Sequence, residues 1–211
     1  MHFNYTTVST NQQREQLQLL FDQCFLTGNK KNLREQYKML RQLELSNSFD
    51  YTNEIIDISS LAENISVACD ILIAETGASI IYCGNKTAPA FCNQRLFIKA
   101  LLNLISNAYL YGCDNLITIK TIEMSDFIRV EVQSGGIFIN NSAGHGICFV
   151  RNICKNANGN FFIEQSSTHT RAVMIFEKSR NYKELNTIDF YSLINDRLSP
   201  VYVELFGMEY H

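Results

Sequence analysis

The sequence predicts an α+β fold: a two-layer sandwich in which helices cover one face of a mixed sheet, preceded by a helical hairpin. Three observations predict it. Apolar residues recur at helical spacing in several separate segments. Two pairs of strand-like segments are joined by turns short enough for antiparallel hairpins. Helices and hairpins then follow one another along the chain, the pattern of helices laid on a sheet. With 211 residues the chain can bury one substantial core and carry a small helical appendage.

The first helix is expected over Asn11–Leu26, with Leu17, Leu20, Phe21 and Cys24 on one stripe, and Thr27-Gly28-Asn29 stops it. A second runs from Asn32 to Leu45 with Leu33, Tyr37, Leu40 and Glu44 or Leu43 on its inner side. A lone hairpin cannot cover both stripes, so pairing with a second copy through residues 11–45 is expected, against the simpler alternative that it packs on its own domain. Residues 46–58 are polar and irregular, which divides the chain into a hairpin (1–50), a main domain (51–180) and an extension (181–211).

Within the main domain a helix is expected over Ser59–Thr76 and a strand over Ala78–Cys83. A polar connection holding Pro89 leads to a helix over Arg95–Gly112. Strands Leu116–Met124 and Phe127–Gln133 flank the tight turn Ser125-Asp126. A Gly-rich loop, a helix from Gly146 to Ala157 closed by Asn158-Gly159, and a hairpin of Asn160–Gln165 with Ala172–Lys178 complete the pattern. The extension reads as a helix (Thr187–Asn195) and a final strand (Val201–Phe206).

A net charge of −3 and 46% hydrophobic residues describe an ordinary globular chain, with no basic excess for nucleic acid. No apolar run reaches the roughly 18 residues that cross a bilayer. The first residues, MHFNYTTVST, hold neither the basic cluster nor the apolar core of a secretory signal. Seven cysteines, odd in number and mostly within apolar segments, form no CxxC, and the four histidines are not spaced to join them around zinc. Reduced, buried thiols and a cytoplasmic location follow.

Two segments could carry chemistry. On the Arg95–Gly112 helix, Arg95, Lys99, Asn103 and Asn107 recur at four-residue steps and fall on one face of an otherwise apolar helix. Such a line is either a solvated stripe or a ligand site. Asparagine is a poor helix former, and its amide oxygen suits a hard cation. The second segment is Gly144-His145-Gly146, directly ahead of a helix, where backbone amides can approach an anion. It is either a phosphate cradle or a plain turn. His145 would meet a phosphate there or face solvent, and His169 sits in a hairpin turn.

Taken together the two segments resemble the GHKL ATPase family, and within it the sensor histidine kinases. Asn103-Leu-Ile-Ser-Asn107-Ala-Tyr-Leu-Tyr111 is similar to the family's N-box, NLLxNAxKY. Gly146 to Glu164 is similar to its second glycine box and following strand, GLxIVKxIVExHGGxIxVE. The resemblance covers roughly residues 11–178 and implies a sandwich of the Bergerat type. It also implies Mg²⁺ and ATP as cofactors, a homodimer and a response regulator partner. By position, Asn107 would hold Mg²⁺, Asn103 would lie beside the phosphates and Tyr111 near the nucleotide. Gly144, His145 and Gly146 would form the phosphate side of the lid, with Ser134 and Gly136 on the base side.

The departures from the pattern bear on activity. The first glycine box, DxGxG, falls on Ser134-Gly135-Gly136-Ile137-Phe138. Ser134 replaces the aspartate that accepts from the adenine amine, a loss of roughly 1–2 kcal/mol, or about ten-fold. Phe138 replaces a glycine, Leu110 the usual lysine, and the lid from Ile139 to Gly144 is short. In the hairpin, Asn11-Gln-Gln-Arg14-Glu-Gln-Leu17 puts Asn11 at the phosphoacceptor position of HELRTPL. An amide nitrogen is delocalised and is no nucleophile. Two functions fit these residues: a kinase-type region that binds Mg-ATP weakly without phosphorylating itself, or a pseudokinase or dimeric scaffold that binds no nucleotide.

Overall fold

The computed structural model describes residue 19, residues 52–84, 87–136 and 145–180, residue 185, and residues 188–196 and 199–206. The expected hairpin lies outside these residues except for Leu19, which is helical and exposed.

A short strand, β1 (Glu54–Asp57), opens the described chain and runs straight into helix α1 (Ile58–Ile73). Asp57 makes that junction. Its carboxylate accepts from the amides of Ser59 and Ser60 as an N-cap, and also from Ala88 N at 2.9 Å across the fold. Buried positions Ile58, Leu61, Ala62, Ile65, Ala68, Cys69 and Ile73 give α1 one continuous apolar face. A 3₁₀ turn (Ala74–Thr76) and left-handed Gly77 (φ 79°) end it. Then β2 (Ser79–Gly84) and β3 (Pro89–Cys92) lead to α2 (Gln94–Tyr111), capped by Asn93, whose side chain accepts from Leu96 N at 3.0 Å.

Strands β4 (Leu116–Glu123) and β5 (Phe127–Gly135) form the first hairpin. Helix α3 (His145–Asn156) precedes the second, β6 (Asn160–Gln165) and β7 (His169–Glu177). The main sheet has the order β2-β4-β5-β7-β6, with β2 parallel to β4 and the rest antiparallel. It is the expected mixed sheet. Alternation sends Ile117 and Ile119, then Ile128, Val130 and Val132, then Met174 and Phe176 into one core with α1 and α2. Phe97 of α2 meets Phe176 edge to face, ring centroids 5.5 Å apart.

The opposite face carries polar residues of the same strands. Glu131, buried, pairs with Arg129 (2.5 Å) and Arg171 (3.3 Å), and both arginines reach Glu164 at 3.1 Å. Arg129 also lies over the Phe162 ring at 5.7 Å, so its charge and its flat face are both engaged.

Three expectations need correction. The segment around residues 54–57 and the connection holding Pro89 are not irregular, because β1 pairs with β3 in a separate antiparallel ladder, Glu54 opposite Cys92 to Asp57 opposite Pro89. Pro89 sits at the first position of its strand, where its missing N–H costs no ladder bond. The second hairpin's return strand begins at His169, not Ala172. The segment Val201–Phe206 is not a strand. It is part of helix α5 (Pro200–Phe206), which follows the short helix α4 (Phe190–Asn195). Ser199 accepts from Tyr202 N at 3.4 Å and Pro200 takes the first helical position, a helix start that outweighs the β-branched residues behind it. Helix α4 packs on α1 and α5 on both α1 and α2, and Asn64 of α1 donates to the Ile188 carbonyl at 3.0 Å.

Candidate functional site

The site is built where the second half of α2 faces the ends of β5 and β7 and the start of α3. Gly112 ends α2, its amide bonded to the Ala108 carbonyl at 2.9 Å. The chain then turns beside β5: Cys113 N donates to the Gly135 carbonyl at 3.0 Å, and Gly135 N donates to Asp114 at 2.7 Å. These bonds hold the asparagine helix against the first glycine segment. The sequence gives no signal for Asp114, one exposed aspartate in a turn.

The polar line on α2 runs from solvent into the protein. Arg95 is exposed, Lys99 half-buried, Asn103 only 9% exposed and Asn107 half-buried. Its outer half is a solvated stripe and its inner half is a packed polar pair. Asn107 Nδ2 donates to Asn103 Oδ1 at 3.2 Å. Gly146, the second residue of α3, lies flat on the Asn103 amide. A Cβ there would lie 2.5 Å from both Nδ2 and Oδ1, so any larger residue must push the amide aside. The sequence therefore located three residues that the fold brings together: Asn103, Asn107 and Gly146.

Ser134 is buried in β5 between Ile117 of β4 and Thr170 of β7. Gly136 has φ 90° and stands against Cys113, whose Sγ would lie 2.5 Å from an added Cβ; both features demand glycine. Its amide donates to the Thr168 carbonyl, and its carbonyl accepts from Thr170 Oγ1, both at 2.9 Å. Thr170 is a second residue that the sequence does not reveal. Its place follows from the β5–β7 register, a pairing between residues far apart in the chain.

Between these elements lies an apolar cleft lined by Leu104, Ala108, Val132, Ile147, Ile163 and Ala172, with Asn107, Ser134 and Thr170 as its polar groups. Its volume is about 30 Å³. That is the space of one water molecule, against the several hundred Å³ of a typical ligand pocket. Ile147, one residue beyond Gly146 and only 7% exposed, packs into it.

Tyr111 is 61% exposed at the end of α2. His145 begins α3, but its side chain is not among those described. Asn11, Phe138 and Gly144 lie outside the described residues. His169, half-buried at the start of β7, is held in its turn by Ser166 Oγ at 2.8 Å, which gives it a structural part. Among the described residues no group of three or more His, Cys, Asp or Glu could hold a metal, and no helix is long and apolar enough to cross a membrane.

No protein-family model matches the chain, and no curated protein matches it in sequence. Solved structures do match. The catalytic domain of histidine kinase ThkA, in a nucleotide-free form, superposes with a TM-score of 0.53 at 19% identity, over 60% of this chain and 97% of that one. Histidine kinase AdeS of Acinetobacter baumannii gives 0.53 at 16% identity, over 84% and 89%. ThkA in complex with the response regulator TrrA gives 0.57 at 18% identity, over 74% of this chain and 50% of that one. The chain thus has the fold of a histidine kinase catalytic domain, the mixed-sheet sandwich of the GHKL type.

Proposed function

We propose that this chain is a histidine-kinase-type region of a two-component signalling protein that binds Mg-ATP weakly and does not phosphorylate itself on histidine. The observation that carries the proposal is the stack of Asn107, Asn103 and Gly146. It joins a neutral oxygen-bearing pair to the start of a helix in a fold shared with histidine kinase catalytic domains. Mg²⁺ takes one or two protein oxygens and completes its shell with phosphate and water. Asn107 directs its nitrogen to Asn103, so its oxygen is the atom a hard cation would meet. The first amides of α3, with Gly146 among them, suit the phosphates. When bound, the metal neutralises phosphate charge; the residues of the chain orient the nucleotide and exclude water.

The residues suit the metal and phosphates better than the base. The cleft of about 30 Å³ between α2, α3 and the sheet does not hold an adenine ring, so the base would lie outside it. Ser134 in place of an acid makes the binding weak. The same lack of an acid favours the second function, a pseudokinase or dimeric signalling scaffold. In the proposal residues 1–50 are the dimerising hairpin, 51–180 the nucleotide-binding unit and 181–211 an extension. The protein acts in the cytoplasm as a homodimer, with a response regulator as partner.

Thermal unfolding of the full chain with and without Mg-ATP tests this. A ligand that binds only the folded state adds RT ln(1 + [L]/Kd), about 1.4 kcal/mol at ten times Kd. A rise in Tm that requires Mg²⁺ supports nucleotide binding. An unchanged Tm at millimolar Mg-ATP leaves the scaffold function. Transfer of labelled phosphate to an acid-labile site on the chain would overturn the statement about Asn11.

A further inference from the structure

Helix α5 meets the asparagine-bearing helix at a buried polar point. Ser106 lies on α2 between Asn103 and Asn107, on the flank of their line, about 60° and 100° around the helix at 100° per residue. Its hydroxyl is 2.8 Å from Oε1 of Glu204 on α5 and 3.1 Å from the Asn103 carbonyl. Ser106 is 3% exposed and Glu204 9%. Val203 and Leu205, on either side of Glu204, are 3% and 2% exposed. The carboxylate also lies near enough to Cys69 of α1 to push its thiol pKa further up, beyond the rise that burial causes. A carboxylate has been taken into the space between three helices.

Such burial is costly even with partners, and an apolar residue of similar volume often serves stability as well or better. Val201, Val203 and Leu205 already anchor α5. The carboxylate supplies direction, which apolar contact lacks. We propose that Glu204 is a positioning residue for the nucleotide site: through Ser106 it fixes the rotation of α2 about its axis, and with it the placement of Asn103 and Asn107. The inference rests on the reading of those asparagines as the metal and phosphate side of a nucleotide site.

Two physical consequences make the contact matter there. A turn of about 10° about the helix axis moves an atom 5–6 Å from it by roughly 1 Å. Mg²⁺ holds its oxygens at about 2.0–2.1 Å in near-ideal octahedral geometry, and a displacement of that size is severe for it. The second consequence is a competition for one hydrogen. The Ser106 hydroxyl donates either to Glu204 or back to the carbonyl of Asn103, three residues earlier. Back-bonding of this kind bends helices. By competing for that hydrogen, Glu204 would weaken the back-bond at the residue that stacks on Gly146.

The test uses the full chain and the variants Glu204→Ala, Glu204→Gln, Ser106→Ala and the double Ser106→Ala/Glu204→Ala. Titration calorimetry with Mg-ATP should show Glu204→Ala about ten-fold weaker. Glu204→Gln keeps an acceptor oxygen and should stay within about two-fold of the wild type. The double variant should be no weaker than the stronger single loss, because the two residues act as one link. Unchanged affinity in Glu204→Ala, equal losses in the Ala and Gln variants, or additive losses would each overturn the proposal.

Amide hydrogen exchange of the nucleotide-free protein judges the link without nucleotide. Residues 103–107 should exchange several-fold faster in Glu204→Ala, with β5 and β7 unchanged. Uniform acceleration across the domain, or none, contradicts a positioning role. If the wild type binds no Mg-ATP, the nucleotide reading fails while exchange still decides the link. If Glu204→Ala does not fold, Ser106→Ala, a small truncation to a good helix former, carries both measurements.

Discussion

Gly146→Ala strikes the packing of the site at a single atom. The added methyl would lie 2.5 Å from both Nδ2 and Oδ1 of Asn103, and 2.9 Å from its Cγ. Ordinary contact begins near 3.4 Å, so the amide must retreat by about 1 Å. Asn103 is 9% exposed and accepts from Asn107, which leaves the retreat little room and breaks the 3.2 Å bond. The lost bond costs about 1 kcal/mol and crowding of the core about 1–3 kcal/mol. Alanine in place of glycine within a helix returns about 1 kcal/mol. The net is a destabilisation of about 1–3 kcal/mol, or roughly 3–10 °C in Tm for a domain of this size. Calorimetric unfolding reads it. The decisive comparison is the same change in an Asn103→Ala background. With the amide gone the clash goes too, and Gly146→Ala should become neutral or stabilising. An equal loss in both backgrounds, or no loss in either, would refute the stacking of Gly146 on Asn103.

Other expectations follow from the same geometry. Gly159→Ala would drive a Cβ to 1.8 Å from the Ile175 carbonyl, backbone fixed in the β5–β7 and β6–β7 ladders; it should cost more than about 3 kcal/mol and leave little folded protein in urea titration. Iodoacetamide at neutral pH should label the exposed Cys83, Cys113 and Cys148, and reach Cys69, Cys92 and Cys154 only after denaturation; native labelling of the latter would contradict their burial. Burial pushes the Cys154 thiol up to about 12 and raises Cys69 and Cys92 as well, from an ordinary value of 9.0. Above pH 9 the unfolded chain releases protons that the folded state keeps, so each buried thiol withdraws about 1.4 kcal/mol of stability per pH unit until its folded pKa is reached. Urea midpoints should therefore fall steeply between pH 9 and pH 11, and by less in Cys92→Ala; equal slopes would contradict the assignment.

The long elements were legible because each satisfies a local rule. The helix over Gln94–Tyr111 shows its apolar circumference and one polar line, and the two hairpins show alternation around short turns. Asn103, Asn107 and Gly146 could be chosen together because four-residue spacing and a glycine before a helix are both visible in the chain. The β1–β3 ladder was not legible. Its strands have four residues each and lie more than thirty residues apart, and only their mutual pairing makes them strands. Val201–Phe206 alternates like a strand, yet Ser199-Pro200 and the apolar surface of α1 and α2 turn it into a helix. Thr170 and Asp114 join the site through register and turn contacts, which leave no mark on the local sequence. Nor does local sequence reveal that Ile147 closes the cleft against Leu104 and Ala108.

The central claim is that Asn107 still takes part in a weak, magnesium-dependent nucleotide site. Titration calorimetry of ATP into the full chain, with and without Mg²⁺, and into Asn107→Ala tests it most directly. Asn107 is half-buried and outside the apolar core, so its truncation leaves the buried face of α2 in place. Binding should be measurable with Mg²⁺, at least ten-fold weaker without it, and equally weak with or without Mg²⁺ in Asn107→Ala. Binding that ignores both the metal and the substitution, or no binding by the wild type at millimolar nucleotide, would contradict the claim.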